Sequence, residues 1–219
     1  MKLVVIALHG QGADAELDRD VQEALREAGA IVIAPTTSRR SEFNPESGAE
    51  FPAWMAESFG GKGYADELAD FERGPKEALQ YLHAKLQPGT VLEVTMMGSS
   101  LGGTMAADLA KKFNAKDVIL MAPASNFANT EHEPLLGATA PSTSELLAAV
   151  EDIPVTVIRG EKDPTVSEDE TRVFIQHGGQ LVTIPDAGHT FGKLSFLPED
   201  DLDKRSELTT AVLNAFNQI

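Results

Sequence analysis

The stretch 98-GSSLGG-103 joins an apolar segment to an amphipathic one. Residues 91–97 have the pattern of a buried β-strand, and Met105 and Leu109 recur on one side of a helix that follows. This is the context that a G-x-S-x-G pattern needs. A sharp strand-to-helix turn projects the central serine into a cleft, and small residues must lie two positions to either side. Ser100 occupies the central position and is the candidate nucleophile.

The same turn has two other interpretations. A glycine-rich turn can simply let a helix pack closely on a strand, or its backbone N–H groups can bind a phosphate. The pattern alone does not separate these interpretations from a nucleophilic serine. The motifs elsewhere in the chain decide between them.

Strand-like and helix-like segments alternate along the whole chain, which favours βαβ units and a parallel sheet. The strand candidates are mostly continuous apolar runs, as expected when both faces of a sheet are covered. They are 3–8, 30–34, 91–97, 118–121, 154–159 and 180–184. We therefore predict an α/β fold, a three-layer α/β/α sandwich with a mostly parallel sheet of about six strands. The length of the chain favours one domain, residues 1–219.

Several helix ends have sequence signals. Ser142 with Glu145, and Ser167 with Glu170, fit the capping-box pattern. Pro75 suits the first turn of a helix, where its missing N–H costs nothing. These signals predict helices that begin next to residues 142, 167 and 75.

Two long connections follow predicted strands at their carboxyl ends, the side on which open α/β sheets bind ligands. The first, 36–63, is a candidate lid or pocket wall and is rich in aromatic residues, Trp54 among them. Trp54 and Phe191 are candidate substrate-pocket residues. The alternative for the first connection is that its apolar side chains form a small core of their own.

Charge and composition exclude several classes of function. The chain has 34 acidic and 18 basic residues, a net charge of −16, which disfavours binding to nucleic acid or to an anionic membrane surface. It has no cysteine, which excludes disulfides, a thiolate nucleophile and cysteine-based metal sites. No apolar run approaches the length of a membrane span, so we expect no stable membrane insertion and a cytoplasmic protein.

The first strand ends in His9-Gly10-Gln11-Gly12. Together with the serine turn, this segment resembles the α/β-hydrolase superfamily, in which an HG-x-G turn contributes to the oxyanion hole. The resemblance implies that the backbone N–H groups of Gln11 and Leu101 flank the oxyanion. It also implies a structural role for His9, since the superfamily's base comes late in the chain. A plain glycine turn before a helix is the alternative.

Two later loops extend this resemblance. Residues 159–166 are similar to the superfamily's G-x-x-D-x-x-V acid loop and make Asp163 the orienting acid, with Glu161 as the weaker alternative. His189, on the loop after the sixth strand, is then the general base. Alone, these loops could be a charged turn and a solvated histidine, but the chain order Ser, Asp, His is that of this fold.

The resemblance runs from His9 to the last helix. Larger members of the superfamily begin with an antiparallel pair of strands before the His-Gly strand, whereas here that strand starts at residue 3, so a trimmed sheet is expected. The chain is similar to compact serine esterases, acyl thioesterases and dienelactone hydrolases, although the last use a cysteine nucleophile.

This likeness implies a serine hydrolase that cleaves a small or medium-chain carboxylic ester through an acyl-enzyme. It would act on small-molecule acyl esters with no metal or organic cofactor, as a monomer or homodimer. The alternatives are an acyl thioesterase and a ligand-binding scaffold without catalysis.

Overall fold

The computed structural model describes residues 1–10, 18–35, 64–125, 140–175, 178–192 and 204–218. Three of the features named above lie outside the described residues: the connection 36–63 with Trp54, residue Gln11, and most of the connection after the fourth strand. The described part contains six strands and six helices.

The six strands form one sheet in the order β2-β1-β3-β4-β5-β6, and every neighbouring pair is parallel. All six predicted strands are confirmed, each within two residues of its expected ends. Their bounds are β1 Lys2–Leu8, β2 Ile31–Ile33, β3 Leu92–Ser99, β4 Asp117–Met121, β5 Val155–Gly160 and β6 Gln180–Ile184. The chain order reverses between β1 and β3, so the crevice at the carboxyl ends of these two strands is the expected ligand position.

Helices cover both faces of the sheet. The helices are α1 Arg19–Glu27, α2 Tyr64–Lys85, α3 Leu101–Leu109, α4 Thr143–Val150, α5 Glu168–Ile175 and α6 Arg205–Asn217. Buried side chains of α2 to α5 pack in one apolar layer, and those of α1 and α6 pack in the other. The predicted three-layer fold is therefore confirmed. None of the described helices is both long enough and apolar enough to cross a bilayer.

Strand side chains divide between the two layers with a period of two. In β1, Ile6 and Leu8 face α2 to α5, whereas Val5 and Ala7 face α1 and α6. All four are buried. Because both faces are covered, neither set can be polar, which explains why the strands were continuous apolar runs in the sequence.

Both capping boxes are present. The N–H of Glu145 donates to Ser142 Oγ at 3.3 Å, and the N–H of Ser142 donates to Glu145 Oε2 at 2.7 Å. Ser167 and Glu170 make the same reciprocal pair, at 3.3 and 2.9 Å. Each box satisfies two backbone groups that a helix terminus leaves unpaired.

The prediction for Pro75 was wrong. Pro75 lies inside α2, whose buried residues include Tyr64, Phe71 and Pro75 itself. A proline in a helix interior costs about 3 kcal/mol. Burial of two large aromatic side chains on the same stripe offsets this cost, so tertiary packing overrides the local signal.

The turn between β3 and α3 packs directly against the end of β1. A methyl group placed on Gly102 would lie 2.2 Å from the carbonyl oxygen of His9 and 2.5 Å from that of Leu8. A methyl group on Gly98 would lie 2.2 Å from the carbonyl oxygen of Gly102. Both glycines are therefore required by close backbone contact.

Replacement of Gly102 by alanine tests this contact. We expect Gly102→Ala to lower the free energy of unfolding by at least about 2 kcal/mol, because backbone has to move to accommodate the methyl group. Gly74→Ala is the matched control, since Gly74 lies in α2 and, among the described residues, its added methyl meets only the Pro35 side chain, at 3.4 Å. That control should stay within about 1 kcal/mol of the wild type, because the gain in helix propensity is opposed by the contact of the new Cβ with the ring of Pro75. Equal stability of the two variants in urea titrations contradicts the account.

Candidate active site

Ser100 lies at the turn between β3 and α3 in a strained backbone conformation. Its φ and ψ are 51° and −125°, and a positive φ is uncommon outside glycine. Its N–H donates to the carbonyl oxygen of Met121, at the end of β4, at 2.8 Å. This bond and the close packing of the turn hold the strained residue at the carboxyl edge of the sheet.

The structure brings Ser100, His189 and Asp163 together. His189 Nε2 lies 3.0 Å from Ser100 Oγ, and His189 Nδ1 lies 2.9 Å from Asp163 Oδ2. The imidazole is 11% exposed and the aspartate side chain is fully buried. The three side chains thus form one hydrogen-bonded line, with the imidazole between a hydroxyl and a carboxylate.

The carboxylate of Asp163 is held from its other side by backbone. Its Oδ1 accepts hydrogen bonds from the N–H groups of Thr165, at 2.9 Å, and Val166, at 3.0 Å. These two bonds from backbone N–H groups fix the orientation of the carboxylate. Glu161, the alternative acid, is exposed, and its Oε2 accepts the N–H of Asp186 at 3.1 Å.

The loop that carries His189 docks against the end of β5. A methyl group on Gly160 would lie 2.3 Å from the carbonyl oxygen of Ala187 and 2.4 Å from that of Gly188. The N–H of Lys162 donates to the Ala187 carbonyl at 2.9 Å. Sequence reasoning did not single out Gly160 for this role, although a glycine at the end of an apolar strand indicates a close backbone approach.

The His-Gly turn lies beside the nucleophile. A methyl group on Gly10 would be 3.2 Å from Ser100 Cβ. His9 is 6% exposed, and its ring packs edge-on against Phe71 with 4.9 Å between centroids. This packing places His9 in the core. Gln11, the next residue after Gly10, lies outside the described residues.

Leu101 is the first residue of α3, and its side chain is buried. The first backbone N–H groups of a helix have no helical carbonyl partner and carry the positive end of the helix dipole. The N–H of Leu101 therefore belongs to a set that can bind developing negative charge next to Ser100.

Phe191 follows the histidine loop but lies in the core. It is 2% exposed and packs in the apolar layer under α1 and α6. Its φ is 56°, and its carbonyl oxygen accepts the N–H of Lys204 at 3.0 Å. Phe191 therefore lies in the core, and its backbone connects the histidine loop to the start of α6. Its side chain does not line a pocket that is open to solvent.

The described residues contain no group of three or more His, Asp or Glu side chains placed to hold a metal ion. The chemistry that the described side chains can perform is proton transfer and nucleophilic attack. An imidazole that is hydrogen-bonded to a serine hydroxyl can accept the proton of that hydroxyl. A carboxylate hydrogen-bonded to the other ring nitrogen fixes the tautomer and stabilises the imidazolium.

Solved structures with the same architecture include several hydrolases. One of the two metagenome-derived lipolytic enzymes LipS and LipT is 15% identical, with a TM-score of 0.67 over 100% of this chain and 94% of that chain. A thermophilic esterase from Thermogutta terrifontis is 18% identical, with a TM-score of 0.63 over 100% and 90%. The thioesterase domain from the curacin biosynthetic pathway is 13% identical, with a TM-score of 0.62 over 97% and 91%.

At such identities these likenesses show the fold alone, which is the α/β-hydrolase fold that the sequence motifs predicted. A sequence comparison with curated proteins found no significant match. A family model described as an uncharacterised protein family, UPF0227, matches residues 67–195, more than half of the chain, from α2 to beyond the histidine loop. The chain therefore belongs to the UPF0227 family and has the α/β-hydrolase fold.

Proposed function

We propose that this protein is a serine hydrolase that cleaves small or medium-chain carboxylic esters through an acyl-enzyme intermediate. The observation that carries the proposal is the hydrogen-bonded line from Ser100 through His189 to Asp163. The proposal therefore rests on the geometry of these three side chains and on the strained backbone of Ser100 at the carboxyl edge of a parallel sheet.

In the first half of the reaction, Ser100 Oγ attacks the ester carbonyl carbon while its proton passes to His189 Nε2. The protonated imidazole is stabilised by the buried carboxylate of Asp163. His189 then gives this proton to the leaving alkoxide, the carbonyl re-forms, and the acyl group remains on Ser100. In the second half, water attacks the acyl-enzyme with His189 again as the base, which releases the acid and restores the serine.

The negative charge of each tetrahedral intermediate needs fixed donors. The N–H of Leu101 at the start of α3 is one, and the HG-x-G motif supplies the N–H of Gln11 as the other. Removal of one such donor typically costs about 10²- to 10³-fold in rate. Because backbone dipoles meet the charge and imidazole carries the proton, the proposed reaction requires no metal or organic cofactor.

The triad alone does not specify the substrate class. The same triad can cleave oxygen esters and thioesters, and the similar structures include both a lipolytic enzyme and a thioesterase domain. We propose the carboxylic ester first, with residues 36–63 and Trp54 as the segment that contacts the acyl chain. Phe191, which is buried in the core, has no part in this proposed pocket.

Replacement of the nucleophile tests the proposed activity. We expect Ser100→Ala to lower kcat/KM for p-nitrophenyl butyrate and octanoate by about 10⁴-fold or more, because no acyl-enzyme can form. Ser144→Ala, an exposed serine on α4, is the matched control and should retain wild-type turnover. The ratio of the two ester rates in the wild type gives the chain-length preference.

Turnover that persists in Ser100→Ala would rule out this nucleophile. A wild-type protein that is folded and binds the esters without cleaving them would favour the ligand-binding scaffold. Faster cleavage of a butyryl thioester than of the oxygen ester would favour the acyl thioesterase.

The acid is tested by an amide substitution. Asp163→Asn keeps the side-chain shape but removes the charge that holds the imidazole tautomer, so kcat should fall by about 10³- to 10⁴-fold. Asp186→Asn is the matched control, because Asp186 lies on the histidine loop and pairs with Lys162 at 2.7 Å on the surface. The control should stay within about threefold of the wild type, and equal losses in both variants would remove Asp163 from the mechanism.

A further inference from the structure

The residue before the nucleophile takes part in a buried polar network. Ser99 ends β3, and its hydroxyl donates to Asp18 Oδ2 at 3.1 Å. Asp18 Oδ1 accepts a hydrogen bond from Arg205 Nη2 at 3.0 Å. The side chains of Asp18 and Arg205 are only 9% and 11% exposed. The residue next to Ser100 is therefore hydrogen-bonded to a buried ion pair, that of Asp18 and Arg205.

The network has a second carboxylate that orients the guanidinium. Arg205 Nε donates to Asp20 Oδ2 at 2.9 Å, and Arg205 Nη2 donates to Asp20 Oδ1 at 2.6 Å. Burial opposes the charge of Arg205, but the hydrogen bonds and charges of Asp20 and Asp18 outweigh this and raise the pKa of Arg205. The cation thus stays charged and is held in a fixed, two-pronged geometry, which a lysine would reproduce only in part.

Ser99 also lies beside the His-Gly turn. A methyl group on Gly10 would lie 3.6 Å from Ser99 Oγ and 3.2 Å from Ser100 Cβ. Ser99 therefore lies close to Gly10 and is hydrogen-bonded to Asp18, which directly precedes α1.

We propose that Asp18 and Arg205 are positioning residues for the reaction, acting through Ser99. They fix the end of β3, and so hold Ser100 Oγ and the N–H of Leu101, at the start of α3, in the arrangement that the transition state needs. This inference rests on the proposed function. Neither residue contacts the reacting atoms, so neither is a catalytic residue.

Loss of the hydrogen bonds among Ser99, Asp18 and Arg205 should lower kcat more than it changes KM. The N–H of Leu101 binds the transition-state oxyanion more strongly than the ester carbonyl, so a displaced donor lowers the rate without weakening substrate binding to the same extent. A displacement of about 1 Å at a reacting centre can cost about 10²-fold. The expected loss lies between 10- and 100-fold.

The experiment compares Asp18→Asn, Arg205→Met and Arg205→Lys with Arg19→Gln. Arg19 is the matched control because it lies on α1 beside Asp18 and pairs with Glu23 on the exposed surface, where the two side chains are 64% and 61% exposed. Turnover of p-nitrophenyl butyrate is divided by the number of sites that a fluorophosphonate titrates to completion. This division separates rate per folded site from the fraction of folded protein.

We expect Asp18→Asn and Arg205→Met to lower kcat per titrated site by about 10- to 100-fold, with KM within about threefold of the wild type. Arg205→Lys should recover part of the loss, because it restores the charge. Ser99→Ala removes the same link without burying an unpaired cation. It should show a loss in the same direction even where Asp18→Asn folds poorly.

Two results would overturn the inference. If kcat per titrated site in Ser99→Ala and Arg205→Met equals that of Arg19→Gln, the network only stabilises the fold. If the wild type itself shows neither turnover nor a titratable site, the proposed function fails, and the positioning role fails with it.

Discussion

The close approach of α3 to the end of β1 is the constraint on which the site depends. Gly102 lies against the carbonyl oxygens of His9 and Leu8 with no room for a methyl group. This contact places the first turn of α3 beside the His-Gly turn. It also forces the chain through a tight bend at Ser100, whose φ is 51°. The strain is tolerated because packing on both sides of the bend determines it.

The remaining geometry follows from a parallel sheet. Because all six strands run in one direction, every connection that leaves a carboxyl end emerges at the same edge. The serine follows β3, the aspartate follows β5 and the histidine follows β6, so residues 89 and 26 positions apart in the chain meet at this edge. Gly160 adds the last requirement, since it lets the histidine loop lie on the acid loop. Backbone contacts thus hold each member of the line.

The parts of the structure that sequence could predict are those with local signals. Continuous apolar runs predicted the strands, and reciprocal serine and glutamate pairs predicted two helix starts. The prediction that Pro75 lies in the first turn of a helix failed, because burial of Tyr64 and Phe71 outweighs the preference of proline for that position. Contacts between distant residues have no local signal: nothing in the sequence joins Ser99 to Asp18, or Asp18 to Arg205, which are separated by 81 and 187 positions. For the same reason Phe191, next to the histidine loop, could not be recognised as a core residue.

The proposed reaction requires Ser100 to be an activated nucleophile. A serine hydroxyl reacts with a fluorophosphonate only when a neighbouring base takes its proton. The direct measurement is intact mass after fluorophosphonate treatment of the wild type and Ser100→Ala, with peptide mapping of the modified residue. We expect one adduct per wild-type chain, located on Ser100, and none on Ser100→Ala. A folded wild-type protein that stays unmodified, or an adduct that persists in Ser100→Ala, would contradict it.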